Sequence, residues 1–273
     1  MSSNKVVVVI PVHKPALTQN ELASLKQCYK ILGSHPIRIV APEGMDMSVY
    51  QNAVPGCEVI FISPEWLSGI QQYNKLKISK YFYDLFKDYE YLLTYELDAW
   101  VFRDELLYWC DKGYDFIGAP WFEGYDLPIG DEILKGGNSG FSLRKISTAI
   151  RFIIRIKQLK RWREFWFRFH LQGMVHFENV WLFKILFRLK GKKFLPYFLQ
   201  DWWNGNEDYF WSYLIANTFT DYTVAPNEES LKFSFEVKPS FLFEKNNNNL
   251  PFGCHAWEKY EPEFWKKFIN TEF

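Results

Sequence analysis

The sequence lacks the patterns of a zinc site, of a disulfide-rich domain and of a membrane-spanning protein. Its four cysteines lie far apart and none pair as C-x-x-C, which fits a protein of the reducing cytosol. The apolar run near the N-terminus stops at Pro11, which is too short for a signal peptide. No run reaches the roughly 18 apolar residues that a membrane helix needs. We therefore expect a cytoplasmic protein.

The chain has no net charge, yet it has ample material for a core and a surplus of aromatic residues. Of its 273 residues, 48% are hydrophobic, which is enough for one large α/β domain or two small ones. Aromatic residues reach 20%, with 12 tryptophans, and this is more than a core requires. Such a surplus often lines sites for ring-shaped ligands or lies at a membrane interface.

The order of predicted elements indicates a mostly parallel central sheet with crossover helices. Apolar runs predict strands at residues 5–12, 37–42, 58–64, 91–102 and 114–120. Helical spacing predicts a first helix, which begins with a capping box formed by Thr18 and Glu21. It also predicts helices at about 70–88, at 207–217 and around Phe264, Trp265 and Phe268. Residues 135–145 indicate a glycine-rich turn leading into a strand, and residues 243–253 a loop. In such α/β sheets, ligands bind beyond the carboxyl ends of the strands.

Two carboxylates lie inside the apolar stretch YLLTYELDAWVF, residues 91–102. A buried carboxylate without a partner is unfavourable, so Glu96 and Asp98 need a partner. Side chains two apart on a strand lie on the same face, and two carboxylates on one face supply half of an oxygen-ligand site for Mg²⁺ or Mn²⁺. The alternative is a solvated strand end in which the acids pair with Arg103.

The motif Glu96-Leu97-Asp98 resembles the D-x-D motif of GT-A-fold glycosyltransferases, and three further segments follow in the family's order. GGNSGFSLR, residues 136–144, is similar to the family's glycine-and-Asn loop beside the donor sugar, although a hairpin turn has the same composition. NEDYFW, residues 206–211, resembles the acidic motif that begins a helix in inverting members, although acids suit any helix N-terminus. FGCHAW, residues 252–257, is similar to the segment that brings a late histidine to the metal. The order is closest to little-described bacterial enzymes associated with surface polysaccharides.

This resemblance implies a fold, a domain division and a role for each motif residue. We expect one GT-A-like (Rossmann-like) catalytic domain over residues 1–273, with a nucleotide-binding half at 1–104 and an acceptor-binding half at 105–273. The resemblance implies that Glu96, Asp98 and His255 bind Mn²⁺ or Mg²⁺, with Asp98 the firmer ligand. It also implies that Asp208 accepts the acceptor proton and that Glu207 binds the sugar or acceptor. The expected donor-binding residues are Pro11, His13, Lys14, Asn74, Lys75, Gly137, Asn138 and Ser139.

The function so implied is metal-dependent transfer of a sugar from a nucleotide sugar, with a UDP-sugar favoured, to a hydroxyl of a glycan or lipid-linked acceptor. Inversion is favoured over retention. A divalent ion offsets charge on the leaving diphosphate, and a carboxylate deprotonates the hydroxyl. One alternative is a sugar nucleotidyltransferase, which needs a glycine-rich loop that PVHKPALT lacks. The other is a non-catalytic carbohydrate-binding relative, which would not need all four motif residues together.

A strongly basic segment, expected to form a helical insert at about 146–195, stands apart from these motifs. Residues 151–193 contain twelve Lys and Arg against two Glu, interleaved with Trp and Phe. Cationic and aromatic residues mixed on helices suit an anionic membrane surface, so we expect peripheral attachment at the inner face of the plasma membrane. Solvated helices that pack their aromatics on the core are the alternative, and nucleic acid is the least favoured partner.

Overall fold

A computed structural model describes residues 5–158 and 205–271, which form nine strands and the helices that flank them. The strands are β1 (Val6–Pro11), β2 (Ile37–Pro42), β3 (Glu58–Ile62), β4 (Tyr91–Tyr95), β5 (Trp100–Val101), β6 (Phe116–Phe122), β7 (Ile133–Lys145), β8 (Ser234–Phe235) and β9 (Gly253–Cys254). The first helices are α1 (Gln19–Leu32), α2 (Ser48–Ala53), α3 (Ile70–Lys77), α4 (Lys80–Asp84), α5 (Leu106–Asp111) and α6 (Ile146–Gln158).

The later helices belong to the second half of the chain. Helix α7 joins Glu207–Tyr209, the π-helical turn Phe210–Ile215 and Ala216–Thr218. It is followed by α8 (Asn227–Phe233), α9 (Pro239–Lys245) and α10 (Pro262–Trp265). A 3₁₀ turn, Pro64–Leu67, precedes α3. No helix in the described ranges is long and apolar enough to cross a membrane.

The main sheet has the order β3-β2-β1-β4-β7-β6 and is mostly parallel. Strands β1 to β4 pair in parallel, and β7 is antiparallel to both of its neighbours, β4 and β6, so only β7 runs against the rest. Val7 and Val9 of β1 pack into one apolar cluster and Val6 and Val8 into another, so the sheet is covered on both faces. The predicted α/β class, a mostly parallel sheet with flanking helices, is confirmed.

Several local predictions are confirmed and others are wrong. At the start of α1, Thr18 forms the predicted capping box with Glu21. The helix predicted at 70–88 is two helices, because the Ser79 hydroxyl accepts the Phe82 N–H and begins α4. Of the glycine-rich turn leading into a strand predicted at 135–145, the strand is confirmed and the turn is wrong, since all these residues belong to the long strand β7, which pairs with both β4 and β6.

The single strand predicted at 91–102 is also wrong, and this affects the site. Strand β4 ends at Tyr95, a turn follows in which the Ala99 N–H donates to the Glu96 carbonyl at 2.8 Å, and β5 begins at Trp100. Glu96 and Asp98 therefore lie on a turn and not on a strand face. The turn redirects the chain into a second sheet of order β5-β9-β8.

The C-terminal predictions are confirmed in part. Residues 243–245 of the predicted loop complete α9, and the loop occupies the residues that follow. The final helix contains Phe264 and Trp265 but ends before Phe268. Of the basic insert predicted at 146–195, the structure describes only residues 146–158, as helix α6; the remaining residues lie outside the described ranges.

Candidate functional site

Glu96, Asp98 and His255 form a cluster that is suited to a metal ion. One ligand atom from each residue lies within 4.8 Å of the other two. The His255 Nε2 atom is 3.1 Å from Asp98 Oδ1 and 3.5 Å from Glu96 Oε2. Two carboxylates and one imidazole are a donor set that Mn²⁺ accepts.

The second sheet brings these residues together. In the antiparallel pair of β5 and β9, Trp100 lies opposite Cys254, so Asp98 just before β5 faces His255 just after β9. Strand β8 pairs with β9 in parallel, and this places Glu236 beside His255. The Glu96 N–H donates to the Gly140 carbonyl at 2.9 Å, which fixes the turn against β7. Gly140 must be glycine, because a Cβ there would lie 2.0 Å from His255 Nε2.

The hydrogen bonds of His255 fit a cation at this cluster. Its Nδ1 atom lies 3.1 Å from Glu236 Oε1, and that oxygen also accepts a hydrogen bond from the Asn138 amide at 2.8 Å. If Nδ1 carries the proton and donates to Glu236, the lone pair of Nε2 points at two carboxylates, which is unfavourable unless a proton or a cation lies between them. A carboxylate behind a metal-binding histidine is a common arrangement.

The electrostatics of the cluster agree with this reading. Burial of His255 favours its neutral form, but Asp98, Glu236 and Glu96 raise its pKa well above the usual range. Burial of Glu96 opposes its ionisation, yet Lys77, His255 and the Tyr73 hydroxyl hold its pKa well below the usual range. The cluster therefore favours an ionised Glu96 beside a histidine whose surroundings favour a positive charge.

A buried ion network lies behind Glu96. The Lys77 ammonium is 2.6 Å from Glu207 Oε1 and 3.3 Å from Glu96 Oε1, and it donates to the Ser139 hydroxyl at 3.1 Å. Arg144 binds the other side of Glu207 at 2.8 Å. Lys77, Arg144 and Glu207 are each at most 2% exposed. Burial raises the pKa of Glu207, but the Arg144 and Lys77 charges lower it by more, so the pKa lies below the usual value.

Cavity one, of about 590 Å³, opens beside the cluster at the carboxyl ends of the first strands. Its lining includes Pro11, Val12, His13, Lys14, Glu21, Tyr50, Leu67, Ser68, Gly69, Ile70, Tyr73, Glu96, Leu97 and Asp98. Tyr73 donates a hydrogen bond to Glu96 Oε1 at 2.8 Å. Lys14 pairs with Glu21 at 2.9 Å, and its carbonyl accepts the Tyr50 hydroxyl at 2.8 Å, so the segment after β1 is held in place.

The expected donor-binding residues are divided between this cavity and the interior. Pro11, His13 and Lys14 line cavity one, whereas Asn74 and Lys75 are not among its lining residues. Asn74 is buried and its side-chain oxygen accepts the Glu207 N–H at 3.1 Å, which holds the first turn of α7. Lys75 is half-buried on α3.

The glycine-rich segment of β7 has three different environments. Gly137 packs against the Gly118 backbone, where a Cβ would lie 3.0 Å from the nearest atom. Ser139 is buried and faces Lys77. Asn138 lines a second cavity, described below, and its side-chain oxygen also accepts the Gly140 N–H at 2.8 Å.

Cavity two, of about 290 Å³, lies on the other side of Asn138 and Glu236. Its lining residues are Trp121, Phe122, Tyr125, Asp126, Asn138, Gly205, Asn206, Asp208, Tyr209, Glu236 and Val237. Asp208 is buried at the start of α7, where burial and the nearby Glu207 charge raise its pKa to about 7. Glu207 points inward to Lys77 and Arg144 and is not among the residues that line either cavity.

Sequence reasoning missed the residues that link the motifs. Lys77 gave no signal, because a lysine on a helix is normally solvated, and Arg144 lay inside a motif without an expected role. Glu236 follows the short apolar run FSF, and an acid at the end of such a run was the same signal that identified Glu96. The hydrogen bond from Tyr73 to Glu96 is visible only in the structure.

No curated protein matches the sequence. Among the similar solved structures, mouse xyloside xylosyltransferase 1 shares 12% identity over 92% of this chain and 97% of its own, with a TM-score of 0.49. The glycosyltransferase GlyE of Streptococcus pneumoniae TIGR4 shares 12% identity over 98% of this chain and 61% of its own, with a TM-score of 0.48.

A third similar structure is the galactosyltransferase LgtC in complex with donor and acceptor sugar analogues, at 13% identity over 91% of this chain and 86% of its own, with a TM-score of 0.48. All three are described by name as glycosyltransferases. At the level of sequence families, one model matches residues 56–255, which includes the cluster, the buried ion network and both sides of cavity two. The chain belongs to the family described as Protein of unknown function (DUF5672).

Proposed function

We propose that this protein is a metal-dependent glycosyltransferase that moves a sugar from a nucleotide sugar to a hydroxyl of a glycan or lipid-linked acceptor. One observation carries the proposal: the cluster of Glu96, Asp98 and His255 contributes to the lining of cavity one and is joined to cavity two through Glu236 and Asn138. This arrangement would place a donor on one side of the cluster and an acceptor on the other.

The donor belongs in cavity one. Its volume suits a nucleotide, since ligand pockets typically measure about 300–1,000 Å³. Glu96, Asp98 and His255 would hold Mn²⁺ or Mg²⁺, and the ion would neutralise the negative charge that develops on a leaving diphosphate. Lys77 and Tyr73 fix Glu96 from behind, so that its second oxygen faces the cluster. A UDP-sugar is our first choice of donor.

The acceptor belongs in cavity two, where Asp208 is the proposed general base. A base is most effective when its pKa lies near the working pH, and the pKa of about 7 meets this condition. The Tyr209 N–H donates to Asp208 Oδ1 at 2.7 Å, which orients the carboxyl and leaves Oδ2 for an acceptor hydroxyl. A base placed across the site from the donor favours inversion.

The same division supports one catalytic domain with two halves. All lining residues of cavity one fall between positions 11 and 98, and all those of cavity two between 121 and 237. We therefore keep residues 1–104 as the nucleotide-binding half and 105–273 as the acceptor-binding half. Glu207 acts in this scheme through Lys77 and Arg144, as a positioning residue, and the neighbouring Asp208 is the group that contacts the acceptor.

The test is release of nucleotide diphosphate from a panel of nucleotide sugars, with and without Mn²⁺ and with acceptor glycans. We expect turnover that requires the metal and is lost in Asp98→Asn. Asp208→Asn should lower turnover by about 10²–10⁴ with little change in donor affinity. Asp88→Asn, an exposed change of the same type, is the matched control.

Two outcomes would count against the proposal. Glycan binding without turnover of any nucleotide sugar would favour the non-catalytic carbohydrate-binding alternative, and equal turnover without metal would remove the cluster from the reaction. Near-normal turnover in Asp208→Asn would favour a retaining mechanism.

We also propose that the basic segment attaches the protein to the inner face of the plasma membrane, where a lipid-linked acceptor would lie. The support is the charge pattern of residues 151–193, where each engaged Lys or Arg contributes about 1 kcal/mol near an anionic leaflet. Co-sedimentation with anionic vesicles should exceed that with neutral vesicles and weaken with salt. Replacement of Arg161, Arg163 and Arg168 by Glu should remove it. A wild-type protein that stays in the supernatant with anionic vesicles at low salt would contradict this proposal.

A further inference from the structure

The charged residues of cavity two have one sign. Three carboxylates line it, Asp126, Asp208 and Glu236, and among its described lining residues none is Lys or Arg. Three cations near this part of the chain pair with carboxylates: Lys77 is bound to Glu207, Lys238, which lies over the ring of the lining residue Phe122, pairs with Asp131, and Lys259 pairs with Asp126 at 3.1 Å on the exposed rim. Cavity two thus presents three carboxylates and, among its described lining residues, no lysine or arginine, with Glu236 paired to His255 in the interior and Asp126 paired to Lys259 at the rim.

Two of these carboxylates are fixed and retain free acceptor capacity. Glu236 is buried, and its Oε1 atom is held by Asn138 and His255. Asp208 is buried too, and among the described residues its carboxyl accepts only the Tyr209 N–H. An ionised carboxylate has about four lone-pair positions, so each group can still accept hydrogen bonds from a ligand.

Aromatic rings complete the wall of the cavity. Trp121 and Tyr209 stack with centroids 6.0 Å apart and an interplanar angle of 21°, and Tyr125 meets Trp121 edge-on at 5.4 Å. The Trp121 ring lies directly over Gly136, where a Cβ would come within 2.7 Å of it, so the backbone holds the ring in this position. Tyr125 is 44% exposed and lies at the mouth.

The exposed ring of Tyr125, supported by the buried Trp121, lies beside hydrogen-bond acceptors. Such a site suits a pyranose, whose C–H face packs on a ring while its hydroxyls donate. An anionic substituent is disfavoured here, because bringing like charges together in a partly desolvated site raises their energy. Carboxylates and phosphates are usually bound through paired contacts with Lys or Arg, and none of the lining residues in the described ranges is Lys or Arg.

We propose that cavity two selects an acceptor sugar that carries no anionic group, and so excludes uronic acids and phosphorylated sugars. The inference rests on the proposed function, since it names the acceptor class of the same site. A neutral hydroxyl supplies the proton that Asp208 accepts, and Glu236 and Asn138 bind the neighbouring hydroxyls.

The test compares matched sugar pairs that differ by one charge. Binding of methyl glucoside against methyl glucuronide, and of methyl galactoside against methyl galacturonide, is measured by calorimetry or ligand-observed NMR without donor. We expect the neutral member of at least one pair to bind 10-fold or more tightly, and Tyr125→Ala to weaken that binding. We expect Trp121→Ala to weaken neutral-sugar binding in the same way, and circular dichroism checks that this variant folds.

A charge reversal gives an independent readout. Asp126→Lys places a cation at the rim of the cavity, and it should reduce the preference for the neutral sugar while leaving nucleotide binding in cavity one unchanged. Asp88→Lys, an exposed site outside both cavities, is the control and should leave the preference unchanged.

The outcomes separate this inference from the proposed function. Equal or tighter binding of the uronides, no binding of either member of each pair, or neutral-sugar binding that is unaffected by both aromatic changes would overturn the inference. Metal-dependent nucleotide binding, measured on the same samples, reports on the proposed function alone. If nucleotide binding requires the metal but the sugar results overturn the inference, the glycosyltransferase proposal still stands.

Discussion

The buried ammonium of Lys77 offers the sharpest test of how the two halves of the site are held together. It contacts Glu96 of the metal cluster and Glu207 at the first turn of α7, one residue before Asp208. The change Lys77→Met keeps most of the side-chain volume and removes the charge. Glu207 then retains Arg144, at 2.8 Å, as its only ion-pair partner among the described residues.

The expected loss of stability follows from the burial of this network. Breaking a buried ion pair by removing one partner costs about 3–5 kcal/mol, and the remaining Arg144 contact places this case at about 3 kcal/mol. Unfolding entropy is about 2.1 cal/mol/K per residue, or about 0.6 kcal/mol/K for 273 residues. The melting temperature should therefore fall by about 5 °C.

Differential scanning calorimetry measures this shift, with Lys80→Met as the matched control. Lys80 begins the next helix, α4, is 42% exposed and pairs with Asp84 at 2.6 Å. An exposed pair of this spacing contributes about 0.3–0.5 kcal/mol, so the control should shift the melting temperature by less than about 1 °C. Equal shifts for the two variants would refute the reasoning, because the Lys77 network would then contribute no more than a surface pair.

Two other predictions concern the cluster and the base. Gly140→Ala should displace His255, since the new Cβ would lie 2.0 Å from Nε2, and it should abolish metal-dependent nucleotide binding. Gly130→Ala is the control, because a Cβ there would have no atom within 4 Å. Retained binding in Gly140→Ala would contradict the geometry of the cluster. Turnover should fall as pH drops through about 7, because Asp208 must be ionised to accept a proton. A turnover profile that is flat from pH 6 to 8, on the order of one unit either side of this pKa, would remove Asp208 as the base. Because the pKa of Asp208 is higher in the folded than in the unfolded chain, its contribution to stability is complete at pH values below the unfolded pKa. This contribution is lost as pH rises through about 7.

Local sequence signals predicted the scaffold well where one interaction dominates. The valine run of β1 has a single favourable environment, the middle of a covered sheet, and the Thr18–Glu21 pair forms a capping box from neighbouring residues alone. The strand predicted through Glu96 and Asp98 was wrong, because β5 pairs with β9, and no local pattern reveals a partner so distant in the chain.

The candidate site was predicted residue by residue but not as a network. Family resemblance brought Glu96, Asp98 and His255 to attention, and the structure places them together through the turn after β4 and the β5–β9 pair. Lys77 could not be predicted, because its burial depends on Glu207, which only the folded chain brings within 2.6 Å. Burial of a lysine is a property of its partners, and the sequence around it carries no sign of them.

Metal dependence of nucleotide binding tests the central claim most directly. Isothermal titration of UDP into the wild-type protein should give measurable affinity with Mn²⁺ and a large loss of affinity after the ion is removed by chelation. In Asp98→Ala the two titrations should be equally weak, while the melting temperature stays close to that of the wild type because Asp98 is 45% exposed. Equal affinity with and without Mn²⁺ in the wild type would contradict the assignment of Glu96, Asp98 and His255 as a metal site for a nucleotide donor.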